Sequence, residues 1–413
     1  MSSEKDRVLV VGGGVIGLCS AYSLLRAGRE VLVLERDVEG GDSCSTGNAG
    51  MVVPSHFVPL AAPGVVTQGL RWLFDGESPF WVRPRLSLEL ARWGWLFLRN
   101  ATEKHVRSSA TLLRDLNLES RRLFGELEEE GSFGLQKRGL LMLCETEKML
   151  EEEGKMAERA RGLGLVAEVC DGERLKELDP EIEMKAAGGI WHGQDCHLDP
   201  RRFLAELRKR ILGEGGELRF GCEVAGVEDG GVVLRSGEKV KGREIVLAGG
   251  AWTPEVARSV GLRLPMQAGK GYSLTMKAPA QLPRLCSILG EAKVTMTPMG
   301  SQVRFAGTME IGGNSLKVSP RRVLGIVKSA CRVFPQFKQE DFVGVKPWAG
   351  LRPCSPDGLP YLGKVPGREN VIVATGHSMM GLSLGPVTGK LVAEMVVGDE
   401  ASVDVGKLAV GRF

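Results

Sequence analysis

The sequence predicts an α/β protein in which a nucleotide-binding domain on a parallel sheet is interleaved with an α+β domain on a mainly antiparallel sheet. Three observations carry this expectation. A strand, a glycine-rich turn, a helix and a second strand ending in an acid follow one another over residues 7–35. The strand-into-glycine pattern returns at "IVLAGGAW" (245–252) and "VIVATGHSMMG" (371–381), so distant stretches converge on one nucleotide site. Charged helices and β-like runs fill the intervening sequence, and 413 residues suffice for two domains.

Taken in order, "RVLVV" (7–11) reads as a buried strand. A helix follows over 15–28, with Ile16, Leu18, Tyr22 and Leu25 among its apolar positions and Gly28 as its stop. "EVLVLE" (30–35) is the second strand. Residues 87–131 carry helical spacing at Leu112, Leu116, Leu123 and Leu127. Strands are expected at 139–144 and 186–191, flanking a charged helix over 147–163. "LDPRRFLAELRKRIL" (198–212) reads as a helix. "GELRFGCEVAGVE" and "GVVLRS" read as a meander, and "EIVLAGGAW" as a strand entering a glycine turn. Residues 270–312 alternate as strands do, 319–332 form an amphipathic helix, and 370–398 give a strand, a glycine-rich turn and a helix. The resulting division puts 1–80, 198–262 and 341–413 in the nucleotide-binding domain, and 81–197 and 263–340 in the second domain. No repeat or low-complexity segment interrupts it.

Composition excludes several classes. Apolar residues make up 43% and charged residues 25%, as in ordinary soluble proteins. A net charge of +3 with intermixed signs gives no basic face for nucleic acid. The 9 cysteines form no Cys-x-x-Cys pair, and His192 and His197 near Cys196 lack the ligands that would complete a metal spacing. Reduced thiols in a cytoplasmic protein are the expectation, with no metal. The polar start runs directly into a strand, leaving no room for a signal peptide, and no apolar run reaches the roughly 20 residues of a membrane span.

Gly12-x-Gly14-x-x-Gly17 after a strand and at the head of a helix is a Rossmann-type fingerprint. The chain turns tightly at Gly12, approaches a pyrophosphate at Gly14 and packs helix on strand at Gly17, with the phosphates at the helix N-terminus. Glu35 closes the second strand as the acid for ribose hydroxyls. Neither later glycine turn repeats the full fingerprint with a trailing acid. One long cofactor across several strand ends therefore fits better than two nucleotides: FAD, with NAD(P) as runner-up. Without a second nucleotide site, electrons would come directly from an organic substrate.

The ordered stretches "VLVVGGGVIGLCSAYSLLRAGREVLVLER", "STGNAGMVVPSHFVPLAAPG", "LDPRRFLAEL", "GCEVAGVE", "IVLAGGAWTP", "AGLRPCSPDGLPYLG" and "TGHSMMGLSLGPVTGKLVAE" resemble the D-amino-acid oxidase/dehydrogenase superfamily of FAD-dependent oxidoreductases. The look is that of its bacterial D-amino-acid dehydrogenase branch, and it spans essentially the whole chain. The resemblance implies cofactor contacts at Gly12, Gly14, Val15, Ile16 and Gly17, with Glu35 and Arg36 at the adenosine ribose. Ser45, Asn48, Ala49, Gly50 and Met51 match the segment beside the pyrophosphate and flavin, and Val224 a backbone contact to adenine. Gly249, Gly250 and Trp252 match a second glycine turn. Gly376, His377, Met380, Gly381 and Leu382 match a loop near the flavin N1/O2 edge. Arg352 matches the arginine that grips the substrate carboxylate.

The implied reaction is oxidation of a D-amino acid, with hydride leaving Cα for flavin N5 and the imine hydrolysing in water. Orientation then carries most of the catalysis, and no triad is required. A planar guanidinium gives a two-point hold on a carboxylate, which suits Arg352; a structural arginine paired to an acid such as Asp357 is the competing reading. Tyr272 is either a substrate contact or a sheet aromatic, and His56 either a pocket residue or a hydrogen-bonded loop histidine. "VPSHFVPLAAPG" leans towards a compact or cyclic substrate such as D-proline or hydroxy-D-proline. Glycine or sarcosine oxidation, a non-catalytic flavin-binding subunit and an NAD-linked dehydrogenase stand as alternatives. The acceptor is a quinone, oxygen or another flavoprotein, and a homo-oligomer is compatible with the sequence. "WVRPRLSLELARWGWLFLRN" (81–100), with Trp72 just before it, gathers four of the 7 tryptophans among arginines. It reads as a core helix with snorkelling arginines or as a peripheral contact at the inner membrane face.

Overall fold

The computed structural model describes residues 7–65, 78–83, 85–278 and 281–413; Trp72 and the polar start at 1–6 lie outside them. Among the described residues, six strands form one sheet. Their order is Tyr361–Val365, Arg368–Thr375, Glu244–Leu247, Val8–Val11, Val31–Leu34 and Glu217–Arg219. Every pairing is parallel except the hairpin between the first two. Val8–Val11 and Val31–Leu34 have no polar alternation because both faces are covered. Val8 and Val10 face the helices Val15–Arg26, Pro200–Gly213 and Gly385–Val397. Leu9 and Val11 face a three-stranded meander, Val224–Glu228, Gly231–Leu234 and Lys239–Lys241.

A second sheet of nine described strands is mostly antiparallel. Trp348–Cys354, Gln267–Lys277, Gln302–Ile311, Val294–Met299 and Cys286–Leu289 form one half. Leu140–Cys144, Gly188–His192 and Ala167–Cys170 continue it, with Phe80–Val82 beside Gln302–Ile311. Pro320–Val333 packs on this sheet through Ile326, Val327, Ala330 and Val333, around Phe305.

Residues 87–131, read as helical, form two helices, Leu88–Asn100 and Glu103–Glu130. The break falls where Thr102 accepts the His105 N–H and so caps a new N-terminus. Glu217–Arg219, expected in the meander, pairs in parallel with Val31–Leu34 as an edge of the first sheet. Trp348–Cys354, placed in the nucleotide-binding domain by a boundary at 341, is hydrogen-bonded to Gln267–Lys277 in the second sheet. Glu103–Glu130 likewise shares the core of the first sheet, through Leu113, Leu116, Phe124 and Leu127.

Val15–Arg26 and Gly385–Val397 cross at small residues. A Cβ at Gly389 would stand 2.4 Å from the Cys19 carbonyl oxygen, and one at Gly385 3.0 Å from Val15 Cγ2. Gly389→Val is expected to lower stability by about 2–3 kcal/mol by forcing this crossing apart, read from denaturant unfolding midpoints.

Candidate active site

A cavity of about 1170 Å³ runs from the carboxyl ends of the parallel strands, at Val11, Leu34, Ala248 and Thr375, to the face of the second sheet. Ligands of open α/β sheets lie at such strand ends. At the near end, Glu35 accepts the N–H groups of Gly13 (2.5 Å) and Asp37 (2.9 Å), which fixes its carboxylate beside the first turn. The Arg36 guanidinium stacks 3.5 Å from the Trp252 ring centroid. Val224, Gly249 and Gly250 complete this end of the wall.

Gly12, Gly14, Val15 and Ile16 line the next stretch. Gly12 has φ +113°, and its Cβ would lie 2.6 Å from the Ala248 carbonyl oxygen, so only glycine makes this turn. The helix N-cap, Gly14, has no capping side chain, and the first turn carries no acid. Its donors are therefore open to an anion, save that Val15 N–H reaches Ser45 Oγ at 3.0 Å. Gly17, Gly50 and Gly376 do not line the cavity. Their role is close packing: a Cβ would meet the Gly12 oxygen, the Leu198 oxygen and the Tyr361 ring, respectively.

Asn48, Ala49 and Met51 form one wall further in. Arg304, on the second sheet and buried, donates to the carbonyls of Thr46 (3.0 Å) and Asn48 (2.6 Å). Burial pushes this guanidinium down to about 10. The Trp348 indole fills the space beside Gly47 and Gly350, where added Cβ atoms would stand 2.1 and 2.0 Å from the ring. His377, Met380, Gly381 and Leu382 line the opposite loop. His377 is held neutral by burial, which pushes it down to about 3; its Nε2 pairs with Thr388 Oγ1 at 3.0 Å, and its Nδ1 has no partner among the described residues.

At the far end, Arg352 is enclosed by protein except towards the cavity. It donates to the Thr308 carbonyl at 2.7 Å and lies against Gly271, whose Cβ would stand 2.3 Å from two guanidinium nitrogens. Among the described residues no carboxylate is within ion-pair distance of it; Asp357, the competing candidate, is paired to Arg412 at 2.8 Å. Desolvation lowers its affinity for a proton. Tyr272 lines the cavity, but its hydroxyl donates to Glu310 (2.8 Å) and accepts from Ser319 N–H (3.2 Å). That contact belongs to a buried cluster in which Glu310 also faces Lys270 at 3.1 Å. His56 lines the cavity, with Nδ1 3.1 Å from Ser55 Oγ.

A family model described as FAD dependent oxidoreductase (DAO) matches residues 7–395. The chain belongs to this family. As a member of the DAO family it is a flavoprotein oxidoreductase. It is 32% identical over 419 residues to the "D-amino acid dehydrogenase" of Paramagnetospirillum magneticum (98% of this chain, 99% of that one). It is 28% identical over 399 residues to the Helicobacter pylori protein of the same name (95% of each). Among solved structures it is similar to a glycine oxidase from Geobacillus kaustophilus, with TM-score 0.79, 25% identity and 98% of each chain covered. The fold is shared with an L-proline dehydrogenase from P. horikoshii at TM-score 0.76 and 19% identity (100% of this chain, 98% of that one).

The DAO-family cofactor fits the residues present. The cavity is long and continuous, and its middle offers an uncapped helix N-terminus. Among the described residues, the inner half holds buried polar atoms without partners at Trp348 Nε1 and His377 Nδ1. Sequence reasoning did not reach three further lining residues. Lys293 (φ 51°), Thr308 (φ 71°) and Ser378 (φ 52°) are the non-glycine residues with left-handed backbone among those described, and all three line this cavity. Such strain costs of order 1–3 kcal/mol each and concentrates at sites that need it. Ser378 lies within the 371–381 turn but is not one of its glycines, and Lys293 and Thr308 belong to neither of the later turns. Trp252→Ala, which removes the platform under Arg36, is expected to weaken FAD binding about 5-fold (~1 kcal/mol), measured by titrating the apoprotein with FAD fluorescence.

Proposed function

We propose that this flavoprotein oxidises the Cα–N bond of a small D-amino acid. The observation that supports this most is Arg352: a guanidinium enclosed without an acidic partner at the end of a cavity whose other end suits FAD. An anion must complete it, and a carboxylate matches its fork. Bound FAD supplies the acceptor for the hydride that leaves Cα. Arg352 would fix the substrate by its carboxylate, and the apolar walls would limit water at that step. The names carried by the curated relatives favour D-amino acids. Within that class we favour a compact or cyclic substrate, D-proline or hydroxy-D-proline, since residues 53–61 contribute apolar wall at Val53 and Leu60 with His56 as their titratable group. The likeness to a glycine oxidase supports glycine or sarcosine as the alternative.

Anaerobic mixing with panels of D- and L-amino acids, glycine and sarcosine tests the reading directly. D-proline is expected to bleach the flavin fastest; no bleaching by any D-amino or imino acid would sink it. Arg352→Ala is expected to lower kcat/KM by roughly 30- to 5000-fold (about 2–5 kcal/mol) with the flavin still bound.

A quinone as acceptor is favoured by one surface. On Leu88–Asn100, Trp93, Leu96 and Phe97 are buried, whereas Leu88, Trp95 and Leu98 are 90%, 54% and 55% exposed, with Arg99 stacked on Trp95. Trp93, Phe97 and Leu98 also line the cavity, so this helix joins its wall to an apolar outer face. No helix among the described residues is long and apolar enough to cross a membrane. We expect the protein to co-sediment with anionic vesicles and Trp95→Ser/Leu98→Ser to lose most of that binding.

A further inference from the structure

The substrate end holds a hydrogen-bonded chain that the carboxylate grip does not use. Asp195 is buried, 1% exposed. Its Oδ1 accepts the Ser55 N–H at 3.0 Å and its Oδ2 accepts the Ser55 hydroxyl at 2.6 Å. The Ser55 oxygen lies 3.1 Å from His56 Nδ1, and His56 lines the cavity. A hydroxyl has one proton to give, and here the carboxylate takes it. The oxygen must then accept from the ring, which makes His56 the Nδ1–H tautomer and leaves Nε2 a bare acceptor. No hydrogen bond engages Nε2 among the described residues.

Hydride departure from Cα needs a nitrogen lone pair, and an amino acid arrives in neutral water as the ammonium ion. We propose that Asp195, acting through Ser55 and His56, takes up the proton that the substrate ammonium must lose. This rests on the amino-acid reading above. The ammonium N–H breaks as Nε2–H forms, Nδ1–H breaks as a new Ser55 O–H forms, and the former hydroxyl proton passes to Asp195. No proton is gained or lost overall, and His56 ends neutral.

The energetics choose the terminus of this chain. Burial and the nearby Lys293 push His56 down to about 4, so an imidazolium is a poor place to leave the proton. Burial pushes Asp195 up to about 7, against the lowering effects of Ser55 and Arg121. The carboxylate is therefore the stronger base of the two, and protonation removes a buried charge. The groups facing the imidazole are Lys293 from the turn after Cys286–Leu289, His192 from the end of Gly188–His192, and Asp195 through Ser55. His192 is itself pushed down to about 4 by burial and is neutral, so Asp195 is the group that titrates near neutrality. His56 would touch substrate; Ser55 and Asp195 are positioning and relay residues.

The test follows flavin reduction by the best amino acid of the panel, in anaerobic stopped flow, across pH. Wild type is expected to gain rate as Asp195 ionises through about pH 7. Ser55→Ala should be slower by about 100-fold near pH 7, and within a few-fold of wild type near pH 10, where free amine is already abundant. Ser55→Thr should restore the neutral-pH rate. A Ser55→Ala loss that is equal at every pH overturns the relay and leaves the amino-acid reading standing; a wild-type flavin that no amino acid reduces overturns both. Independently of turnover, ¹⁵N NMR of the wild-type flavoprotein above pH 7 should show His56 protonated at Nδ1, and a proton at Nε2 instead overturns the assignment.

Discussion

A positive charge enclosed without a negative one is the constraint on which the rest of this site depends. Removing a guanidinium from water costs several kcal/mol unless a partner and hydrogen bonds compensate. Here the described residues supply one carbonyl, from Thr308, and room across Gly271, but no carboxylate. The carbonyl comes from a β-branched residue held at φ 71°, itself an unfavourable conformation. The same arginine therefore reads poorly as a structural element and well as a binding one.

The two sheets are tied together at a segment that lines the cavity. Arg304 reaches from the second sheet to the carbonyls of Thr46 and Asn48, and Trp348 packs beside Gly47. From the other side, Ser383 Oγ accepts the Val53 N–H and donates to Asn117. Residues 46–53 are thus held by both halves of the molecule at once. A segment with its own helix could not follow this path, because its carbonyls would be spent internally. Its glycines and alanine allow the close approach, and the buried arginine satisfies what they leave open.

The parallel sheet was legible because its signals are local. Val8–Val11, the glycine fingerprint, Val31–Leu34 and Glu35 lie within 28 residues and follow fixed backbone rules. The glycine turns at 249–250 and 376 were legible for the same reason. Where the sequence misled, partners were remote. Trp348–Cys354 could join either domain by composition, and only its pairing with Gln267–Lys277 decides the matter. Glu217–Arg219 is too short to advertise a sheet of its own. At the site, His56 stood out as a rare residue type, but nothing near "VPSHF" points to Asp195, 140 positions away. Tyr272 was visible as a sheet aromatic facing the cavity, yet its hydroxyl partner, Glu310, depends on a strand register that spacing does not reveal.

The interleaving that builds the cavity also sets an order in time. Val8–Val11 and Val31–Leu34 are made first, yet the strand that lies against Val8–Val11 on its other side is Glu244–Leu247. At ribosomal rates of about 5–20 residues per second, roughly 12–47 s separate the emergence of these partners. Throughout that interval a strand of four apolar residues has an unpaired edge, and its covering helix Gly385–Val397 does not yet exist. These two strands are therefore written long before the strand and the helix that complete them. The nascent chain must be shielded from its neighbours until the second domain has been made and the return strands arrive.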